Sequence, residues 1–76
     1  MSWHRGQLRG AKRMFPIEVS PGGDVFYATS IKAGKAFLSS RLLPGERMVY
    51  KARQPISRRA LATRFVRVAR GVYVRA

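Results

Sequence analysis

Alternating apolar and polar positions predict β-strands in the first third of the chain. Ile17 and Val19 alternate with Pro16 and Glu18, so one face of this run is apolar and the other is polar. A second β-prone run, residues 24–29, follows the turn-forming sequence Ser-Pro-Gly-Gly. The two runs predict a β-hairpin, and the proline favours an edge position for its first strand.

A helical pattern follows between Ser30 and Gly45. Ser30 is a favourable N-cap, and the Pro-Gly pair at the other end is a typical helix stop. Gly34 interrupts the pattern at a cost of about 1 kcal/mol relative to alanine, which leaves open whether part of the segment is a loop. The predicted apolar face consists of Ile31, Phe37, Leu38 and Leu42.

Residues 47–53 alternate again and predict a third strand, which Gln54 and Pro55 end. A helix of about two turns is then expected, with Ser57 as its N-cap. Its predicted inward positions are Ala60 and Leu61, and its outward positions are Arg58 and Arg59.

The final segment, residues 65–76, predicts a second hairpin whose register follows from its valines. We expect a three-residue loop of Ala69, Arg70 and Gly71, with the glycine in the left-handed conformation. All four valines then share one face, and a two-residue loop would mix the two faces. The predicted facing pairs are Val68 with Val72, Val66 with Val74, Arg67 with Tyr73, and Phe65 with Arg75.

One alternative stays open for residues 55–70. Ile56, Leu61 and Phe65 also lie near helical spacing, which would allow one long basic helix ended by Gly71. The β-branched valines favour the shorter helix followed by the hairpin.

Together these elements predict an α+β fold in a single domain over residues 15–76. It has a small antiparallel sheet, made of two hairpins and a middle strand, and one or two short helices. Residues 1–14 are predicted to form a flexible basic arm, because Gly6 and Gly10 interrupt any helix there.

The charge of the chain indicates the chemistry of a partner. Sixteen Lys and Arg residues face three acidic residues, for a formal charge of +13, whereas a magnitude of about 2 to 8 suits a small domain. Twelve of the sixteen are arginines, whose planar guanidinium pairs bidentately with phosphate or carboxylate. The excess predicts an acidic partner, either nucleic acid or an acidic protein surface.

The candidate contact surface combines the second helix with the last hairpin, since no acidic residue follows Glu46. On an exposed sheet face, arginines would supply charge for phosphates, while Tyr73 and Phe65 would supply platforms for bases. The alternative is that arginine stems pack on these rings and the charged ends are solvated. The candidate residues are Lys51, Arg53, Arg58, Arg59, Arg64, Arg67, Tyr73 and Arg75, with Trp3, Arg5, Arg9, Lys12 and Arg13 in the arm.

Catalysis, cofactors and metal ions are not predicted. One His, one Asp, two Glu and no Cys supply few groups for acid–base chemistry or metal ligation. The absence of cysteine fits a reducing compartment, and no signal peptide or apolar span of about 18 residues is recognisable. We therefore expect a cytoplasmic protein with no membrane partner and no small-molecule substrate.

The resulting hypothesis is a small, regulatory nucleic-acid-binding protein that contacts the DNA or RNA backbone. The alternative is a protein-binding regulator that docks on an acidic surface of a large machine such as RNA polymerase or the ribosome. The size and composition would suit a phage-encoded modulator of transcription. A monomer is favoured over an oligomer, because like charges repel.

Overall fold

A computed structural model describes residues 11–76 and confirms the α+β fold. Six strands form one sheet in which every pairing is antiparallel, and two short helices pack against it. The elements are β1 (Ala11–Ser20), β2 (Asp24–Ala28), α1 (Ile31–Leu38), β3 (Arg47–Tyr50), β4 (Gln54–Ser57), α2 (Arg58–Arg64), β5 (Phe65–Ala69) and β6 (Val72–Arg75). The strand order is β3-β1-β2-β6-β5, and β4 also pairs with β1.

The sheet carries one core cluster on each of its two faces. Successive residues of a strand point to opposite faces, and the neighbours Tyr27 and Ala28 of β2 belong to different clusters. Ala28 packs with Ile17 and with Leu38 of α1, whereas Tyr27 packs with Met14 and with the residues of α2. We call these two sides the α1 face and the α2 face.

The first hairpin forms as the sequence predicts, with β1 and β2 paired antiparallel. The first helix also begins at its predicted cap. Ser30 caps α1, and its hydroxyl oxygen accepts a hydrogen bond from the Ala33 backbone N–H at 3.1 Å. The helix ends at Leu38, well before Pro44, so the predicted end is wrong. Ile31 is also not on the buried face, since 38% of its surface is exposed.

Gly34 marks the closest approach of α1 to the sheet. A Cβ atom at this position would overlap the Cδ1 atom of Ile17 and lie 3.0 Å from the Cβ atom of Ala28. The glycine is buried within the helix and does not introduce a loop. Its missing side chain lets α1 lie directly on β1 and β2.

The boundary predicted at residue 15 is wrong, because β1 begins at Ala11. Its first four residues pair with β4, and Met14 is fully buried in the cluster of the α2 face. Lys12 and Arg13 are therefore exposed strand residues and not part of an arm. Residues 1–10, with the predicted contacts Trp3, Arg5 and Arg9, lie outside the described residues.

Pro16 lies inside a central strand, contrary to the predicted edge position, since β1 pairs with β2 on one side and with β3 and β4 on the other. The carbonyl oxygen of Pro16 accepts a hydrogen bond from the Lys51 backbone N–H at 2.9 Å. The N–H and C=O of a strand residue point to the same edge, so the missing proline N–H lies opposite the break at residues 51–53. The predicted third strand therefore stops at Tyr50, and Gln54–Ser57 form a further strand that the sequence did not predict.

The last segment forms the predicted hairpin, with three of its four predicted pairs. The confirmed pairs are Phe65 with Arg75, Val66 with Val74, and Arg67 with Tyr73. Val72 faces Ala69 instead of Val68, because a bulge adds one residue to β5. The connection is thus the two-residue turn Arg70–Gly71, with the glycine at φ 74°. The bulge keeps Val66 opposite Val74, which a two-residue turn without a bulge would prevent.

Helix α2 begins where its capping signal predicts. The Ser57 hydroxyl oxygen accepts a hydrogen bond from the Ala60 backbone N–H at 3.1 Å. The seven-residue helix is shorter than the roughly 12 residues at which an isolated helix becomes marginally stable. It therefore depends on this cap and on its packing.

Ser57→Ala is expected to lower the free energy of unfolding by about 1 kcal/mol, because one helical N–H loses its acceptor. Urea denaturation followed by far-UV circular dichroism measures this change. The matched control is Ser39→Ala, an exposed serine at the end of α1, with an expected change of about 0.5 kcal/mol or less. Equal destabilisation by the two substitutions would contradict a specific role for the cap.

Candidate nucleic-acid interface

Helix α2 presents three exposed arginines, Arg58, Arg59 and Arg64. Their orientation follows from Ala60 and Leu61, which pack against the cluster of the α2 face as the sequence predicts. The helix has no acidic residue in its first turn. Its outer surface therefore carries positive charge with no acidic neighbour on the same helix.

The last hairpin places two more arginines on the same side of the sheet. Arg67 faces Tyr73 across the strands, and Tyr73 faces Tyr27 of the α2-face cluster. Arg75 faces Phe65, and its guanidinium carbon lies 5.5 Å from the centre of the Phe65 ring. It also lies 5.9 Å from the Tyr27 ring centre, and both distances fall within the range of a cation–π contact.

The aromatic rings of the hairpin are packed and are not open platforms. Phe65 and Tyr73 are half-buried against the α2-face cluster, and Phe65 meets Tyr27 edge to face with ring centres 5.0 Å apart. The valine side is divided: Val72 is fully buried and Val74 is half-buried, whereas 51% of Val66 and 42% of Val68 are exposed. The predicted buried face is therefore confirmed for β6 and wrong for β5, and the predicted exposure of the rings is wrong. Arg75 covers Phe65 and Tyr27, which for these two rings is the packing alternative that the sequence left open.

Lys12 joins this surface, although the sequence predicts it in the arm. It lines a shallow depression beside α2 together with Arg58, Leu61 and Tyr73. The pairing of the first residues of β1 with β4 brings it there. This pairing links distant parts of the chain, and the one sequence signal for it was the apolar Met14 directly after Lys12 and Arg13.

A second depression lies along another side of α2, where Arg64 and Arg75 flank Phe65 and strand β4. Cations therefore border the helix on both sides. We call this set the α2 basic surface: Lys12, Arg58, Arg59, Arg64, Arg67 and Arg75.

Two other predicted contact residues lie apart from the α2 basic surface. Lys51 forms an ion pair with Glu18, with its Nζ atom 3.2 Å from the carboxylate oxygen. The Arg53 guanidinium lies over Phe15 at 5.8 Å from the ring centre, and Phe15 points to the α1 face like Ile17. The structure thus brings together the helix and hairpin arginines and separates them from Lys51 and Arg53.

The described acidic residues form no ion pair with the α2 basic surface. Asp24 lines a depression that Arg75 also borders, but the two side chains are not paired. Glu18 pairs with Lys51, and the Glu46 carboxylate accepts a hydrogen bond from the Leu43 backbone N–H at 2.8 Å. Within residues 11–76, the pair between Glu18 and Lys51 is the only ion pair. The charges of the α2 basic surface are consequently open to an external partner.

Comparison with known proteins does not assign the chain to a family. No family model matches it, and no curated protein or solved structure matches it either. In the described part of the chain, no group of three or more His, Asp or Glu side chains is placed to hold a metal ion. No helix in the same range is long and apolar enough to span a membrane.

Proposed function

We propose that the protein is a small regulatory protein that binds the backbone of nucleic acid through the α2 basic surface. The observation that carries the proposal is the concentration of six cations on one face, none paired with an acid of residues 11–76. Arginine predominates in this set, and its guanidinium matches the geometry of phosphate oxygens.

The covered rings favour contacts to phosphates over contacts to bases. Arg75 lies over Phe65 and Tyr27, which disfavours stacking of a base on these two rings. Tyr73 borders the depression beside Arg58 and is half-buried, so its ring is only partly accessible. Phosphate contacts fix position without reading sequence. We therefore expect weak sequence preference and strong dependence of affinity on salt.

The salt dependence of binding tests this proposal. Fluorescence anisotropy of a labelled DNA duplex should give a plot of log K against log salt with a slope near −5, if about six phosphates are neutralised. Arg58→Gln combined with Arg59→Gln should reduce the magnitude of the slope by about 2 and the affinity by about tenfold. Both side chains are exposed, so folding should be unaffected.

The matched control is Lys32→Gln combined with Lys35→Gln, which removes the same charge from exposed positions of α1. This control should retain a slope within about 0.5 of the original protein. A slope near zero for the original protein, or equal losses in the two double variants, would overturn the proposal.

A pull-down with and without nuclease distinguishes the alternative partner, an acidic protein surface such as that of RNA polymerase or the ribosome. Recovery of nucleic acid that is lost with Arg58→Gln and Arg59→Gln supports the proposal. If instead a single protein assembly stays bound after nuclease and the same variant releases it, the α2 basic surface is a protein interface.

A further inference from the structure

A groove lies between α1 and the β5–β6 turn, on the opposite side of the sheet. Its volume is about 740 Å³, and its floor is formed by Ala33, Ala36 and Phe37 of the helix. The turn approaches closely at Gly71, where a Cβ atom would lie 2.7 Å from the Thr29 hydroxyl oxygen. The Thr29 backbone N–H also donates a hydrogen bond to the Gly71 carbonyl at 2.8 Å. The β5–β6 turn is therefore held at a fixed distance from the start of α1.

Three cations border this apolar floor. Lys32 lies on α1, Arg41 follows the helix, and Arg70 lies at the tip of the hairpin. The Arg41 guanidinium carbon is 4.0 Å from the centre of the Phe37 ring, and its Nη1 atom donates a hydrogen bond to the Phe37 carbonyl at 2.8 Å. The Arg41 guanidinium is thereby held in place before any partner binds. The residues that line the groove include no acid.

We propose that this groove binds an acidic amphipathic helix of a partner protein. The alanines and Phe37 require an apolar stripe on the ligand, while the bordering cations require carboxylates beside that stripe. Nucleic acid fits this chemistry poorly, because Arg41 covers the one aromatic ring on which a base would stack.

The backbone around the groove favours a helix over an extended peptide. Strand β6 is paired on both sides next to the turn, through Val72 with Ala28 and with Ala69. It has no free edge on which a peptide strand could form a ladder. The edge strand of the sheet is β5, which reaches the groove only at Ala69, so the ligand must satisfy its own backbone groups. The eight residues of α1 span about 12 Å, which corresponds to about two turns of a bound helix.

This inference goes beyond the proposed function and does not rest on it. The groove lies on the α1 face, and the sheet separates it from the α2 basic surface. Together with the proposed function, the inference would make the protein an adaptor that holds nucleic acid on one face and an acidic helix on the other.

Anisotropy of a labelled synthetic peptide tests the inference. The probe is a helix of about 14 residues, or four turns, with a leucine stripe at helical spacing and glutamates elsewhere. Lys32→Gln combined with Arg70→Gln should weaken its binding about fivefold, since two rim charges are lost. Ala36→Gln puts a polar side chain on the floor without removing charge and should weaken binding about threefold.

Two controls separate groove binding from attraction by net charge. A peptide of the same composition, permuted to remove the leucine stripe, should bind at least fivefold more weakly. Arg58→Gln combined with Arg59→Gln removes the same charge from the other face and should leave peptide affinity within about twofold. Equal binding of the two peptides, or equal losses in the two double variants, would overturn the inference.

Binding of the labelled DNA duplex is measured with the same variants, to show whether the groove and the α2 basic surface act separately. Lys32→Gln with Arg70→Gln should leave duplex affinity within about twofold, because these charges lie on the face opposite the α2 basic surface. If this variant loses the duplex and keeps the peptide, the groove belongs to the nucleic-acid surface and the inference is wrong.

Discussion

Met14→Ala is expected to lower the free energy of unfolding by about 3 kcal/mol. Met14 is fully buried against Tyr27 and Ile56, and truncation would leave a cavity where β1 and β4 pair. The loss is a large share of the roughly 4 to 11 kcal/mol typical of a domain of this size. Urea denaturation followed by far-UV circular dichroism provides the measurement.

Arg13→Ala is the matched control, since Arg13 is the exposed neighbour on the same strand. Its expected effect is about 0.5 kcal/mol or less. The comparison also tests where the folded domain begins. If Met14→Ala were as mild as Arg13→Ala, residues 11–14 would be an arm without a role in the core.

Gly34→Val is expected to cost about 2 to 3 kcal/mol, because the new side chain has no space between α1 and the sheet. Its Cβ atom would overlap the end of Ile17, and Ala28 lies only 3.0 Å away. The Ile17 side chain is buried and has little room to move, and Ala28 is held by the backbone of β2. Helix propensity alone predicts the opposite sign, since glycine is the poorer helix former.

Ala36→Val is the matched control, because it introduces valine on the exposed side of the same helix. Here only the lower helix propensity of valine acts, and a loss of about 0.5 kcal/mol is expected. A midpoint shift for Gly34→Val that is no larger than for Ala36→Val would contradict the close approach of α1 to the sheet.

Local chemistry made much of the fold predictable from sequence. Ser30 and Ser57 cap their helices and bind an N–H group only three residues further along. A cap of this kind can be recognised from the local sequence alone. Gly71 adopts the positive φ that the hairpin turn requires. Three hairpin pairs also follow from the valine spacing, because register and facing residues are local properties of two adjacent strands.

Distant contacts account for most of what the sequence did not predict. Pro16 suggests an edge strand by the local rule, but the break between β3 and β4 accommodates it inside the sheet. The pairing of β1 with β4 joins segments far apart in the chain, and alternation within either segment does not indicate it.

Burial of the hairpin depends on where the helices lie. β-Branched residues usually indicate the buried side of a strand, but in this sheet both faces carry a cluster. Val66 and Val68 remain exposed, while α2 covers the side that carries Phe65 and Tyr73. The exposed arginines of α2 and the hairpin were therefore predictable, whereas the packing of Phe65 beneath Arg75 was not.

The single layer of strands between the two clusters has a thermodynamic consequence. Tyr27 and Ala28 are adjacent in β2 and belong to opposite clusters, so disruption of this strand removes support from both faces together. A ligand that binds only the folded chain multiplies the ratio of folded to unfolded protein by one plus the ratio of its concentration to its Kd. In a destabilised variant, occupancy of one face would therefore increase apparent affinity at the other, without any contact or change of shape connecting the two sites.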